Sequence, residues 1–107
     1  MYLKKINLKN KYALITGAGK GLGRACSIAL AEAGAIIIGL SRTKSDLDKL
    51  EKDIKKVKSK LIKVTCDVMD YNDLNNKLKN IKYIDVLVNN AGTNIPEPFE
   101  KIQQKSM

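Results

Sequence analysis

The sequence predicts an α/β fold, a doubly wound parallel sheet truncated after about four strands, with helices on both faces. Three observations carry this. Four short apolar runs alternate with longer segments of helical periodicity, in the order β-α-β-α-β-α-β. One of the runs, AIIIGL at 35–40, is apolar without alternation, as expected of a strand covered on both sides. The residues with chemistry to offer cluster just after the runs, at 16–23, 41–42, 67–68 and 89–92. Right-handed crossovers between parallel strands bring these four segments to one rim, where open α/β sheets hold their ligands.

Taken in order, residues 1–11 are a basic lead-in whose Leu3, Ile6 and Leu8 are assigned to the sheet edge. The first strand is Tyr12–Thr16. The following helix covers about 21–33, with Leu22, Ala25, Cys26, Ala29 and Leu30 assigned to its inner face. Small residues at 25 and 29 let it sit close to the sheet, and Gly34 stops it. After the strand at 35–40, a second helix starts near Ser45. Asp46 and Asp48 favour its first turn, while Leu47, Leu50, Ile54 and Val57 point inward and lysines outward. A third strand at 61–65 is closed by Cys66, Asp67 and Val68. A short helix at 71–80 is anchored by Leu74 and Leu78, and a fourth strand spans 84–88. Pro96 and Pro98 hold an extended loop, and 99–107 begin a further helix.

The stretch YALITGAGKGLG at 12–23 is the densest signal. A buried strand, three glycines spaced GxxxGxG (Gly17, Gly21 and Gly23) and a helix start together make a phosphate site. The first turn of a helix has unpaired N–H groups and a partial positive charge, and glycine lets a phosphate approach the backbone. A Walker loop is excluded because Lys20 is followed by Gly21 and Leu22 rather than by Ser or Thr. The GxGxxG fingerprint fails as well, since Leu22 occupies its third glycine position after Gly17 and Gly19.

Composition narrows the function further. A hydrophobic fraction of 44% suits one soluble domain. The net charge of +9 raises the question of nucleic acid, but only Arg24 and Arg42 are arginine, and aromatics are 5%. With no reader motif, the lysines are solvated helix faces and no specific nucleic-acid partner is expected. There is no His, and Cys26 and Cys66 have no ligand spacing, so no metal site is expected and both cysteines are taken as small buried residues. No apolar run approaches the ~18 residues of a membrane span, and the N-terminus has no signal-like apolar region, so no membrane association and a cytoplasmic location are expected.

With these residues in view, the chain resembles the N-terminal half of a short-chain dehydrogenase/reductase. The matching segments are Thr16-Gly17-Ala18-Gly19-Lys20-Gly21-Leu22-Gly23, Asp67-Val68 after the third strand, and Asn89-Asn90-Ala91-Gly92 after the fourth. The approach Ile6–Ile15 is also similar to the family's opening. The resemblance implies a Rossmann-type fold and an oxidoreductase that interconverts an alcohol and a carbonyl by hydride transfer. It implies that the backbone around Gly19–Leu22 cradles the cofactor phosphates and that Asp67, with Val68 beside it, accepts a hydrogen bond from the adenine amino group. Asn89, Ala91 and Gly92 would line the ribose and nicotinamide side, while Asn90 ties the sheet together. Unaided, Asp67 reads as a turn or capping aspartate and Asn89-Asn90 as a strand-end turn.

Charge argues the choice of cofactor. NAD binders place a carboxylate at the end of the second strand, about 20 residues past the glycine turn. Here Ser41 stands there, Arg42 follows, and Lys20 lies in the glycine turn. Two cations suit a 2′-phosphate, so NADP(H) is expected, with NAD as the alternative. The bland reading of Arg42 is a solvent-facing helix-start residue.

The chain departs from the family in its catalytic groups. The resemblance implies a serine, a Tyr-x-x-x-Lys pair and a supporting asparagine farther on. Tyr2, Tyr12, Tyr71 and Tyr83 are followed four residues later by Ile6, Thr16, Asn75 and Leu87, never by lysine. No catalytic residue is therefore assigned. Residues 1–107 are expected to be the cofactor-binding half of an oxidoreductase, inactive alone, whose full-length form is a homo-oligomer. The substrate would be a small alcohol or carbonyl compound. A likeness of Gly92-Thr93-Asn94-Ile95-Pro96 to sugar-acid dehydrogenases suggests a sugar acid or polyol. The alternative is a stand-alone nucleotide-binding or interaction module without catalysis.

Overall fold

The alternation of runs folds as β1 (Tyr12–Thr16), α1 (Gly21–Glu32), β2 (Ile36–Ser41), α2 (Lys44–Lys56), β3 (Leu61–Thr65), α3 (Tyr71–Leu78) and β4 (Val86–Asn89). The computed structural model describes residues 7–82 and 84–90. The expectations for Leu3, Ile6, Pro96, Pro98 and 99–107 lie outside the described residues. All four strands are parallel, in the order β3-β2-β1-β4, so the chain moves outward through β2 and β3 and then crosses back to the other side of β1. That reversal beside β1 is the topological switch point of a doubly wound sheet.

Side chains alternate across each strand, and two cores result. Ala13, Ile15 and Ile37 face α1 and α2, packing with Ala31, Leu47, Leu50 and Ile54. Leu14, Ile38, Leu40 and Val64 face α3, packing with Leu74, Leu78 and Ile84. β2 feeds both cores, which is why its sequence is apolar without alternation. Leu47, Leu50 and Ile54 are fully buried, each contributing roughly 1.5–3 kcal/mol. The lysines of α2 at 44, 49, 52, 55 and 56 are exposed, as expected of a solvated face.

The inner face of α1 differs from the expected one. Gly23, Ser27, Ala29 and Ala31 are its buried residues, whereas Leu22 is 70% exposed and Ala25 is exposed. Volume overrides hydrophobicity here. The helix lies so close to the glycine turn that a Cβ at Gly23 would stand 2.0 Å from the Gly17 carbonyl oxygen. Only the smallest residues fit along that line, and Ser27 is tolerated because its hydroxyl donates to the Gly23 carbonyl (2.8 Å). Cys26, on the flank, is only half-buried, whereas Cys66 is buried as expected. Leu8 is also not on a sheet edge: its N–H donates to the Ala33 carbonyl (2.8 Å) at the end of α1.

Both long helices end in the same motif. In α1, Ala35 N–H reaches the Leu30 carbonyl and Gly34 N–H the Ala31 carbonyl; in α2, Ser59 N–H reaches Ile54 and Lys58 N–H reaches Lys55. The residue that makes the left-handed step is Gly34 in one case (φ 105°) and Lys58 in the other (φ 61°). Lys58 therefore carries the cost of its Cβ in that region, and Lys58→Gly is expected to stabilise the domain by about 0.5–1 kcal/mol. Urea denaturation followed by circular dichroism checks this; an unchanged or lower midpoint would contradict it.

β4 begins two residues later than the sequence pattern suggests. Asp85 uses its carboxylate to accept the Tyr12 N–H (2.8 Å), while its own N–H donates to the Tyr12 carbonyl (2.9 Å). A side chain thus replaces one ladder bond at the strand's entry, and regular pairing starts at Val86 opposite Ala13.

Candidate cofactor-binding site

The glycine turn is held from below by side chains of β1 and β4. Thr16 is buried, its hydroxyl donating to Asn89 Oδ1 (3.0 Å) and accepting from the Asn90 N–H (2.9 Å). Asn90 Nδ2 then donates to the Gly17 carbonyl (3.5 Å), so Asn90 ties the sheet together as expected. From the side, Ala18 N–H donates to the Leu40 carbonyl (3.0 Å), anchoring the turn to β2. What emerges is the start of α1. Its N-cap is Lys20, which makes no side-chain cap, and its first turn contains no acid. Among the described residues, no side chain caps the first-turn N–H groups. In α3, by contrast, Asp70 caps the helix by accepting from Asp73 N–H.

The glycines divide into two kinds. Gly19 and Gly23 are crowded: a Cβ at Gly19 would meet Asp46 Cβ at 2.6 Å, and one at Gly23 would meet backbone. Gly21 is open: among the described residues, nothing beyond its own helix turn lies within 4 Å of a Cβ position, yet its φ is +55°. The turn therefore presents bare backbone to open space at the helix start.

Beside it lies a cavity of about 370 Å³ at the carboxyl ends of β1, β2 and β3. Gly17, Gly19 and Lys20 form one wall, Ser41 and Arg42 a second, and Asp67 and Val68 a third. Three of the four segments predicted to meet at one rim do so here. Ser41 Oγ accepts from the Thr43 N–H (3.2 Å). Arg42 is exposed and makes no ion pair among the described residues. Lys20 stands 3.7 Å from the Asp46 carboxylate, its own side chain 80% exposed. Asp67 Oδ1 accepts from the Met69 N–H (2.9 Å), which makes it the turn aspartate its sequence context allows, with its carboxylate still on the cavity wall. Burial pushes the neighbouring Cys66 thiol up to about 11, so it is a protonated wall residue rather than a nucleophile.

Of the other predicted site residues, Gly21, Leu22 and Gly23 stand at the helix start outside the cavity lining, and Asn89 is engaged with Thr16. Ala91 and Gly92 lie outside the described residues. Sequence reasoning missed Asp46 as a cavity residue, reading it only as a favourable first-turn acid. The signal was there in part, since α2 starts just after the end of β2. Beyond the cavity, the Arg24 guanidinium on α1 donates to the Asp53 carboxylate on α2 and holds that carboxyl below its ordinary value. Among the described residues no group of His, Cys, Asp or Glu could hold a metal ion, and no helix is long and apolar enough to cross a membrane.

Comparison with known proteins agrees with this geometry. The profile described as short chain dehydrogenase matches residues 11–107. L-xylulose reductase of Mus musculus is 37% identical over 101 residues, which are 94% of this chain and 40% of that protein. The 2-dehydro-3-deoxy-D-gluconate 5-dehydrogenase of Pseudoalteromonas atlantica is 38% identical, over 90% of this chain and 40% of its own length. The chain thus spans about two fifths of these relatives. The short-chain dehydrogenase/reductase homolog YusS of Bacillus subtilis is different: 32% identity extends over 92% of this chain and 94% of that protein. Among solved structures, a metagenomic short-chain oxidoreductase in complex with NADP superposes with a TM-score of 0.73, at 29% identity, over 80% of this chain and 41% of its own. NAD+-bound xylitol dehydrogenase gives a TM-score of 0.69 at 27% identity, over 75% and 32%. The glycine turn, the strand order and the length of the match lead to one conclusion: this chain belongs to the short-chain dehydrogenase family.

Proposed function

We propose that the chain supplies the NADP(H)-binding half of an oxidoreductase that interconverts an alcohol and a carbonyl on a polyol, ketose or sugar acid. One observation carries the reading: Lys20 and Arg42 reach the same cavity, beside a glycine turn open enough for phosphate. Gly19–Leu22 and the uncapped start of α1 would hold the pyrophosphate. Arg42, with Lys20, would take the 2′-phosphate next to Ser41, where NAD binders keep an acid. Asp67 would accept from the adenine amino group with Val68 beside it, and Asn89, Ala91 and Gly92 would line the ribose and nicotinamide side. The bound nicotinamide supplies the hydride chemistry. Proton transfer would come from residues other than these, since Tyr12 and Tyr71 have no lysine four positions on. The substrate class follows the relatives, named for L-xylulose and for a dehydro-deoxy-gluconate. The full-length form is read as a cytoplasmic homo-oligomer.

Arg42→Ala tests the cofactor. It should weaken NADP(H) binding by about 1.5–3 kcal/mol, roughly ten- to hundredfold, and leave NAD(H) nearly unchanged. Equal losses for both, measured by titration, would sink the assignment. A second reading, a nucleotide-binding module without catalysis, is favoured by the Bacillus subtilis relative that this chain spans almost end to end. NADPH oxidation with a panel of ketoses separates the two.

A further inference from the structure

The Asp46 carboxylate is 13% exposed and lies on the wall of the cavity that holds Lys20 and Arg42. It cannot easily move away. Its backbone N–H is bonded to the Thr43 carbonyl (3.2 Å) at the start of α2, and its Cβ stands 2.6 Å from where a Cβ at Gly19 would be. From that position it holds Lys20 at 3.7 Å. The end of β2 carries no acid, but one from the first turn of α2 lines the same cavity as Ser41 and Arg42.

We propose that Asp46 is the specificity-determining residue for the adenosine ribose, opposing a 2′-phosphate and favouring a 2′-hydroxyl. The inference rests on the cofactor site proposed above. A 2′-phosphate carries between one and two negative charges, so it must draw Lys20 away from Asp46 while approaching that carboxylate. A 2′-hydroxyl instead donates a hydrogen bond to the carboxylate and leaves the Lys20 pair in place. Lys20 and Arg42 pull toward NADP(H) and Asp46 pulls back. The chain accordingly binds both cofactors, with a preference narrower than two cations alone would give.

The alternative role for Asp46 is local, as a negative charge at the positive end of α2. That role would alter stability and change every nucleotide's affinity alike. The test is calorimetric titration of the whole chain, natural and as Asp46→Asn, with adenosine 2′,5′-bisphosphate and adenosine 5′-monophosphate, which differ only in the 2′-phosphate. Asp46→Asn is expected to tighten the bisphosphate about tenfold and to leave the monophosphate unchanged or a few-fold weaker. Asp46→Ser, a residue at home in a helix start, gives the same comparison should the Asn variant not fold. If the ratio of the two affinities stays constant in the folded variants, Asp46 does not set specificity, while binding to the natural chain keeps the cofactor site. If neither nucleotide binds the natural chain, the site and the inference fall together.

Discussion

Gly23→Ala is expected to lower the unfolding free energy by about 2–3 kcal/mol and to disturb the glycine turn with it. The single added carbon would stand 2.0 Å from the Gly17 carbonyl oxygen and 2.8 Å from Asn90 Nδ2. Neither neighbour can swing aside, because one is backbone and the other is the amide that donates to that same carbonyl. The helix must back away from the sheet, and Ser27 and Ala31, buried farther along its inner face, lose contact in turn. In a domain of this size a loss on that scale is a large share of total stability. Urea denaturation reads it directly. A midpoint within experimental scatter of the natural chain would mean that α1 can shift freely, contrary to its close packing at Gly23.

Gly21→Val should give the opposite pattern, a modest loss of stability with a collapse of nucleotide affinity. Among the described residues, and apart from its own helix turn, no atom lies within 4 Å of a Cβ at this position, so the fold has room there for the side chain. The cost to the fold is the φ of +55°, about 1–2 kcal/mol for a residue with a Cβ and more when it is β-branched. The same open space is where the pyrophosphate would meet the backbone, and a valine there blocks the approach. A loss of at least a hundredfold in NADPH affinity is expected, read by fluorescence titration under conditions where the variant remains folded. Retention of the natural dissociation constant would show that Gly21 serves only the turn. The two expected results would divide packing from binding between glycines two residues apart.

That separation could not be made from the spacing GxxxGxG. All three glycines look alike in a string, and the spacing alone predicts a phosphate site around all three. In the fold, Gly23 lies at the contact between α1 and the turn, while Gly21 faces outward. The misplaced face of α1 has the same origin. Hydrophobic periodicity assumes that the largest apolar side chains go inward, but at this helix the gap to the sheet is set by backbone contact, so Leu22 is turned out and Gly23 in. Where the gap is ordinary, periodicity predicts the buried face: Leu47, Leu50 and Ile54 on α2, and Leu74 and Leu78 on α3, are buried as expected.

Read alone, the sequence establishes the class of fold, the order and rough length of the seven elements in the described residues, and the family. These depend on local periodicity, on turn residues and on short motifs, all of which are written in adjacent positions. It also determined that Gly17, Gly19, Lys20, Ser41, Arg42, Asp67 and Val68 would share a rim, because parallel strands leave no other arrangement. Which side of α1 is buried, how Thr16 links Asn89 and Asn90 to the turn, and that Asp46 faces Lys20 follow instead from three-dimensional packing. Each of these is a contact between residues far apart in the chain, set by how closely two elements approach. An aspartate in the first turn of a helix has the same sequence signature whether it meets water or a lysine across a cavity. The distance between α2 and the glycine turn, which decides the matter, depends on Gly19 lacking a side chain to hold Asp46 away.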